Sequence, residues 1–299
     1  MLNILANGVI ITNNGTKLYM TKGGKSFKYV VFCRDEPRHI YFANQLDMEF
    51  NIEALVIQRA VPVYRQLIGH RGLKRRINEF YKYLRTIYKR KVFKERRFFG
   101  EQSWRFHCKK KIVVVPDINS VRVEKVVEEI FPDLILTFGC GILEKDTFFE
   151  KSTNGIINLH SGIVPDYRGV DNVYWCLHNN EPSQIGATIH YIARSIDTGD
   201  ILAQVYPSIN TSDDELSLFN KTIQSGIDSF KKVISDFERN GKKLVGTKQP
   251  CLGHLYQEKD RTVLTDIKVK RFLINGGLKK VLRQEKEEIL YETKDFSTQ

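Results

Sequence analysis

An amide, an imidazole and a carboxylate occur in this sequence where they could act together on one carbonyl group. Asn158 and His160 alternate in an apolar run, so a β-strand would project both side chains from the same face. Asp197 lies in a Thr-Gly turn after the apolar stretch 185–192, and its carboxylate could reach the imidazole. Amide and imidazolium N–H groups can donate to a developing oxyanion, while a carboxylate supports the charged imidazole. The pattern suits acyl transfer, although an Asn-x-His pair alone is equally compatible with a structural role.

The residues beside this trio indicate neither a covalent nucleophile nor a metal. Ser161 follows His160 directly, but adjacent side chains of a strand point to opposite faces. We therefore expect direct transfer to an incoming nucleophile. His178 and His190 do not lie in a metal-ligand pattern, and we expect them to be surface residues of a helix and a strand. No metal site is predicted.

The surrounding chain alternates between strand and helix patterns. Strands are predicted at 29–32, 52–57, 112–115, 134–138 and 185–192, and helices at 39–49, 120–130, 171–178, 213–239 and 264–274. This alternation is typical of parallel βαβ units, whose ligands bind beyond the carboxyl ends of the strands. Because no GxGxxG turn follows Phe32, a nicotinamide or flavin cofactor is disfavoured.

Further segments extend this α/β core. Two short apolar runs flank Asn13-Asn14-Gly15, which predicts a β-hairpin. We divide the chain into a hairpin extension (1–27), a central domain (28–245) with a basic helical insertion (66–111), and a small C-terminal appendix (246–299). The appendix is too short to bury a sizeable core of its own.

The net charge of +12 belongs to the insertion. Between Arg71 and Lys111 there are sixteen Lys and Arg against three Glu, so the rest of the chain is close to neutral. An apolar stripe at helical spacing predicts an amphipathic helix, and its members are Leu73, Ile77, Phe80, Leu84 and Ile87. A solvated surface helix explains this pattern, and a surface for phosphates or RNA remains open without being favoured.

Composition indicates a cytoplasmic setting. The five cysteines lack CxxC spacing, which argues against a disulfide framework. No apolar stretch approaches the length of about 20 residues that a membrane span needs. Asn3, Asn13 and Asn14 interrupt any apolar stretch of a signal peptide.

Three segments together resemble the folate-dependent formyltransferase family. They are Asn-Leu-His-Ser-Gly-Ile-Val-Pro-Asp-Tyr-Arg-Gly (158–169), Ile-Gly-Ala-Thr-Ile-His-Tyr (185–191) and Asp-Thr-Gly-Asp-Ile (197–201). The family includes glycinamide ribonucleotide, methionyl-tRNA and sugar N-formyltransferases, and formyltetrahydrofolate hydrolase. The resemblance implies a Rossmann-like α/β fold with a mostly parallel sheet, and 10-formyltetrahydrofolate as formyl donor.

The resemblance also implies roles for individual residues. Asn158, His160 and Asp197 fall on the family's three catalytic positions, and the residue types match. Two stretches match family segments that contact the folate: Gly141, Ile142 and Leu143, and Arg194, Ser195 and Ile196. A third stretch matches a family loop beside the acceptor and is expected to bind substrate: Tyr167, Arg168 and Gly169.

Departures from the family pattern bear on the acceptor. Ser161-Gly162-Ile163-Val164 replaces the family's usual proline and leucines, a variation expected among its sugar and uncharacterised branches. We expect the appendix to be too short for the RNA-binding domain of the methionyl-tRNA enzyme. We therefore expect a primary amine on a nucleotide-linked amino sugar. The alternatives are a methionyl-tRNA formyltransferase-like enzyme and an RNA-binding protein on this scaffold, and a homodimer is left open.

Overall fold

The computed structural model describes residues 26–59, 80–81, 83–84, 91–108, 110–281 and 286–291, together with the backbone of three short strands nearer the N-terminus. The strands are β1 (Asn3–Ile4), β2 (Val9–Ile11), β3 (Lys17–Tyr19), β4 (Tyr29–Cys33), β5 (Ile52–Gln58), β6 (Lys111–Val115), β7 (Leu134–Phe138), β8 (Ile156–His160), β9 (Tyr167–Gly169), β10 (Ala187–Tyr191), β11 (Ile201–Tyr206), β12 (His254–Tyr256) and β13 (Lys286–Ile289). The α-helices are α1 (Pro37–Glu49), α2 (Lys91–Phe99), α3 (Val121–Ile130), α4 (Asp146–Lys151), α5 (Asn172–His178), α6 (Glu215–Asn240) and α7 (Val263–Ile274).

Eight strands form the central sheet in the order β13-β11-β10-β8-β7-β4-β5-β6. The five strands from β6 to β8 are parallel to one another. Strands β10, β11 and β13 continue the sheet with antiparallel pairings. The mostly parallel, Rossmann-like α/β class expected from the sequence is confirmed.

Both faces of the sheet are covered by apolar side chains, which explains why β4 and β7 read as continuous apolar runs. On one face Tyr29 and Val31 join a core with Phe42 of α1 and Phe230 of α6. On the other face Val30 and Phe32 join a core with α3 and α4 residues that include Val127 and Phe148. The period of two along β4 thus divides its side chains between two cores.

Helix α6 begins and ends where its sequence predicts. Asp214 accepts from the backbone N–H of Ser217 at 2.7 Å, and the Ser217 hydroxyl accepts from the Asp214 N–H at 2.8 Å. This reciprocal cap satisfies amide groups that the first helical turn cannot pair. Gly241 ends the helix with φ +69°.

The C-terminal residues are joined to the central domain by backbone pairing. Strand β12 lies parallel to β9, and the sequence had not predicted a strand at β9. Strand β13 extends the edge of the central sheet. Val269 of α7 packs in one apolar cluster with Trp175 of α5. Trp175 is a core residue, since it is 4% exposed.

Strands β2 and β3 pair antiparallel with Val9 opposite Tyr19, and β1 adds to β2. Most of the helix predicted between Leu73 and Ile87 lies outside the described residues, as does much of the basic insertion. The domain boundaries stay a prediction. Among the described residues, no helix is long and apolar enough to cross a membrane.

Candidate active site

Strand β8 delivers Asn158 and His160 to the same region of the sheet. In the antiparallel pairing with β10, His190 lies opposite Asn158 and Thr188 opposite His160. Leu159 between them points into the main core. The expected alternation is therefore present, with one apolar anchor between two polar groups.

The carboxylate of Asp197 lies beside the imidazole of His160. The distance from His160 Nδ1 to Asp197 Oδ2 is 3.5 Å, and His160 is 6% exposed. The backbone N–H of Gly169 donates to the same carboxylate oxygen at 2.8 Å. Burial by itself raises the pKa of the Asp197 carboxyl, but His160, His190, the Gly169 N–H and Arg168 together hold the pKa below its usual value. Asp197 is therefore a largely covered carboxylate, with its side chain 12% exposed, that stays ionised.

His190 is a member of this cluster, and the expectation that it is a surface residue is wrong. It is 1% exposed, and its Nε2 lies 3.6 Å from Asp197 Oδ1. Strand β10 lies between β8 and β11 inside the sheet, so its residues are covered. Burial lowers the pKa of His190, which favours the neutral imidazole. Along β10, Thr188 and His190 alternate with three buried apolar residues. This alternation with a period of two was the sequence signal that could have placed His190 at the site.

Two neighbours orient the amide of Asn158. The Thr137 hydroxyl donates to Asn158 Oδ1 at 2.9 Å, and Asn158 Nδ2 lies 3.2 Å from His190 Nε2. His190 Nδ1 lies 2.8 Å from the carbonyl oxygen of Tyr191, which can only accept. The proton of neutral His190 is therefore on Nδ1, and Nε2 accepts from Asn158. Sequence reasoning had no means of finding Thr137, which comes from a different strand.

The other edge of His160 is also held. His160 Nε2 lies 2.9 Å from the carbonyl oxygen of Tyr167 and 3.0 Å from Nδ2 of the buried Asn172. A carbonyl can only accept and an amide nitrogen can only donate, so these two contacts favour opposite states of Nε2. The shorter contact, to Tyr167, favours a proton on Nε2. The Nδ1 edge then faces Asp197 across the site.

The stretch expected to bind substrate supports His160 and Asp197. Tyr167 supplies the carbonyl beside His160, and Gly169 supplies the N–H beside Asp197. Arg168 is 7% exposed and donates to the carbonyl oxygen of Ile196 at 3.0 and 2.6 Å. These contacts position the loop that carries Asp197, and substrate binding by the three residues stays a prediction.

The first stretch expected to contact the folate follows β7. The Gly141 N–H donates to Gln58 Oε1 at 2.7 Å, and the Ile142 carbonyl accepts from Asn119 Nδ2 at 2.9 Å. Leu143 is buried in the core, whereas Ile142 is 58% exposed. The stretch is thus a backbone-anchored loop with one exposed apolar side chain.

The second stretch lies next to the first. Arg194 donates to the Glu144 carbonyl at 3.5 Å, pairs with Asp146, and lies over the Phe149 ring at 4.3 Å. Ser195 accepts from the Thr198 hydroxyl through its carbonyl, and Ile196 is partly exposed. The two stretches therefore meet at one place, as residues of a common binding surface must.

Within the part of the chain that the structure describes, no three His, Cys, Asp or Glu side chains could together hold a metal ion.

Cys140 lies between Gly139 and Gly141, the two glycines that follow β7. Burial raises the pKa of its thiol to about 12, so the thiol stays protonated and unreactive at neutral pH.

Comparisons with known proteins agree with this architecture. Residues 112–234 match the family model described as formyl transferase. The chain is 34% identical over 119 residues to methionyl-tRNA formyltransferase of Halalkalibacterium halodurans, covering 39% of this chain and 37% of that protein. It is 33% identical over 103 residues to GDP-perosamine N-formyltransferase of Brucella melitensis, covering 34% of this chain and 39% of that protein.

A solved structure shows the same fold over a longer span. Phosphoribosylglycinamide formyltransferase of Anaplasma phagocytophilum superposes with a TM-score of 0.50 at 15% identity, covering 77% of this chain and 98% of that one. The chain spans about two fifths of the length of the curated relatives it matches. The family model, the curated relatives and the fold agree that residues 112–234 are similar to formyl transferases, as the sequence motifs indicated.

Proposed function

We propose that this chain transfers a formyl group from 10-formyltetrahydrofolate to a primary amine of a nucleotide-linked amino sugar. The observation that carries the proposal is the meeting of an amide, an imidazole and an ionised carboxylate in one cluster. Asn158 and His160 lie at the end of one strand. Asp197 lies in a separate turn, with its carboxylate 3.5 Å from the His160 ring. These are the groups that acyl transfer to an amine requires.

Each group has a distinct task in this reaction. Asn158 Nδ2 and the Nδ1–H of protonated His160 donate to the oxygen of the formyl group as negative charge develops there, because the Nε2–H faces the Tyr167 carbonyl. Asp197 stays ionised, so it stabilises the imidazolium and accepts a proton from the attacking amine, directly or through water. Overall, a carbon–nitrogen bond to the amine forms, the bond to the folate nitrogen breaks, and one proton passes from the amine to that nitrogen.

The two adjoining loops are suited to holding the folate. 10-Formyltetrahydrofolate supplies the formyl group, and its flat ring system requires an apolar surface with polar groups at its edge. Ile142 and Ile196 supply exposed apolar area, and the contact of Arg194 with Glu144 keeps the loops together. Gly141, Leu143 and Ser195 complete the two stretches that we assign to this site.

The amino-sugar acceptor is supported by one of the relatives. The chain is 33% identical over 103 residues to GDP-perosamine N-formyltransferase, whose name indicates an amino-sugar acceptor. The second candidate acceptor is methionyl-tRNA, because several relatives at 28 to 34% identity carry that name. The basic residues of the insertion suit the phosphates of either acceptor.

A direct transfer assay separates these candidates. The protein is incubated with 10-formyltetrahydrofolate and either a panel of nucleotide-linked amino sugars or charged initiator tRNA, and products are read by mass. We expect an amino sugar to gain one formyl group with the wild type and not with His160→Ala. Formylation of methionyl-tRNA alone would overturn the sugar assignment, and no transfer to any amine would overturn the proposed activity.

A further inference from the structure

Asp197 is held in a backbone conformation that its own residue type does not favour. Its φ is +52°, in the left-handed region that non-glycine residues rarely adopt. Such a conformation is strained and persists only where the surroundings enforce it. Relaxation to a negative φ would rotate the carboxylate away from His160, so the contacts that hold this turn determine the catalytic geometry.

The amide of Gln249 bonds two carbonyl groups of the same turn. Gln249 Nε2 donates to the carbonyl oxygen of Asp197 at 2.9 Å and to that of Gly199 at 2.9 Å. Because both partners can only accept, they also fix the orientation of the amide. A single side chain thus joins the residues on either side of Thr198.

Backbone pairing brings Gln249 to this turn. Thr247 and Ile201 exchange two backbone hydrogen bonds, each of 2.8 Å, beside the start of β11. The chain leaving Thr247 therefore runs antiparallel to the residues leading into Ile201. Gln249 is two residues after Thr247 and therefore lies beside the turn at 197–199.

The same C-terminal segment supports the strand on the other side of the site. Strand β12 pairs with β9, and the Gly253 carbonyl accepts from Arg168 Nη1 at 3.2 Å. Strand β9 supplies the Tyr167 carbonyl to His160 and the Gly169 N–H to Asp197. Residues 247–256 therefore contact both backbone elements that hold the catalytic pair.

We propose that Gln249 is a positioning residue for Asp197, and that the segment 247–256 is part of the working site. The inference rests on the proposed role of Asp197 in formyl transfer. Gln249 itself touches no reacting atom; it acts by holding the turn. The charged and titratable groups that face Asp197 are His160, His190 and Arg168, and their distances to the carboxylate depend on this turn.

The test compares Gln249→Leu with the wild type and with a matched control. Leucine keeps most of the side-chain volume and removes both donors. Gln224→Leu removes an amide that donates to Asp228 on α6, so it controls for the change of residue type. Hydrogen–deuterium exchange of a peptide covering 192–201 reports on the turn without reference to activity.

With Gln249→Leu we expect faster exchange in that peptide, and kcat lower by about ten- to a hundredfold with KM little changed, as for a small displacement of a catalytic group. We also expect the acid limb of the pH–rate profile to move to higher pH, because a displaced carboxylate loses its cationic neighbours. Gln224→Leu leaves all three readouts as in the wild type.

Unchanged exchange in the 192–201 peptide would overturn the proposal, as would a fall in rate with an unmoved pH profile. Gln249→Glu is the second variant, since a carboxylate facing two carbonyl oxygens should release the turn at least as far. If the wild type transfers no formyl group to any amine, the proposed function fails by itself. The exchange result then still decides whether Gln249 holds the turn.

Discussion

The Nδ1 atom of His160 lies 3.5 Å from the Oδ2 atom of Asp197, although His160 ends β8 and Asp197 lies in the turn that follows β10. The opposite edge of the ring is held by the Tyr167 carbonyl, and the carboxylate is held by the Gly169 N–H. Both holding groups belong to β9. One short strand thus sets the alignment of the pair.

Replacing Asp197 by Asn should remove most of the transfer activity without unfolding the protein. The amide keeps the shape but neither stabilises the imidazolium nor accepts a proton, so we expect kcat to fall by about 10²- to 10⁴-fold. Steady-state kinetics and the melting temperature provide the measurement. Asp228→Asn on α6 is the matched control, and wild-type activity in Asp197→Asn would refute the assigned role.

Asn158→Ala removes the side-chain amide and should slow the reaction by about 10²- to 10³-fold, since one donor to the developing oxyanion is lost. The effect should appear in kcat more than in KM. Asn51→Ala serves as control, because Asn51 precedes β5 at the opposite end of the sheet, where its amide binds the Phe27 carbonyl. An equal loss of rate in both variants would point to a general loss of structure.

Stability should fall on acidification partly because of His39. Burial lowers the pKa of His39 to about 4, against an ordinary value near 6.5 in the unfolded chain. As the pH falls through the unfolded value, the unfolded state binds a proton that the folded state excludes. The free energy of unfolding should therefore drop by about 2 kcal/mol between about pH 7 and about pH 5.

Urea unfolding at the two pH values tests this statement, with His39→Gln as the comparison. The variant should lose less stability on acidification, and equal losses would contradict the assignment. Some pH dependence should remain, because the pKa of His190 is also lowered by burial and acts in the same direction. The low pKa of Glu36 matters only below its unfolded value, outside this range.

Alanine at Gly169 should damage the site, whereas alanine at Gly241 should not. Both glycines have positive φ, at +89° and +69°, so both substitutions cost about 1 kcal/mol in backbone strain. A Cβ at Gly169 would also overlap the carbonyl oxygen of Tyr256, but a Cβ at Gly241 meets nothing within 4 Å. Melting temperature and kcat should fall for Gly169→Ala; retained activity there would argue against control of the site by β9.

Arg261 should be needed for attachment of the C-terminal segment. It is 8% exposed and lies 3.2 Å from Asp171, 2.9 Å from Glu215 and 3.0 Å from Asp266. Removal of one member of a buried ionic cluster leaves uncompensated charge, so Arg261→Met should cost about 3 to 5 kcal/mol. Arg239→Met, at an exposed pair with Asp236, should change stability by less than about 1 kcal/mol. Equal effects in chemical denaturation would contradict this difference.

Local patterns in the sequence determined much of the fold. The apolar run of β7 was predicted with the observed bounds, and the helix predicted at 213–239 is present as α6 with ends within two residues of that range. The alternation of Asn158, Leu159 and His160 predicted the shared face. These features depend on residues close together in the chain, where periodicity and capping are directly visible.

Tertiary structure alone decided which groups surround the pair. Thr137 bonds Asn158 across neighbouring strands, His190 reaches Asp197 from β10, and Gln249 is fifty-two residues from the turn it holds. Hydrogen bonds between distant segments leave no period in the sequence, because they depend on sheet order and strand register. The sequence therefore specified the chemical groups of the site, and the packing of distant segments specified their partners.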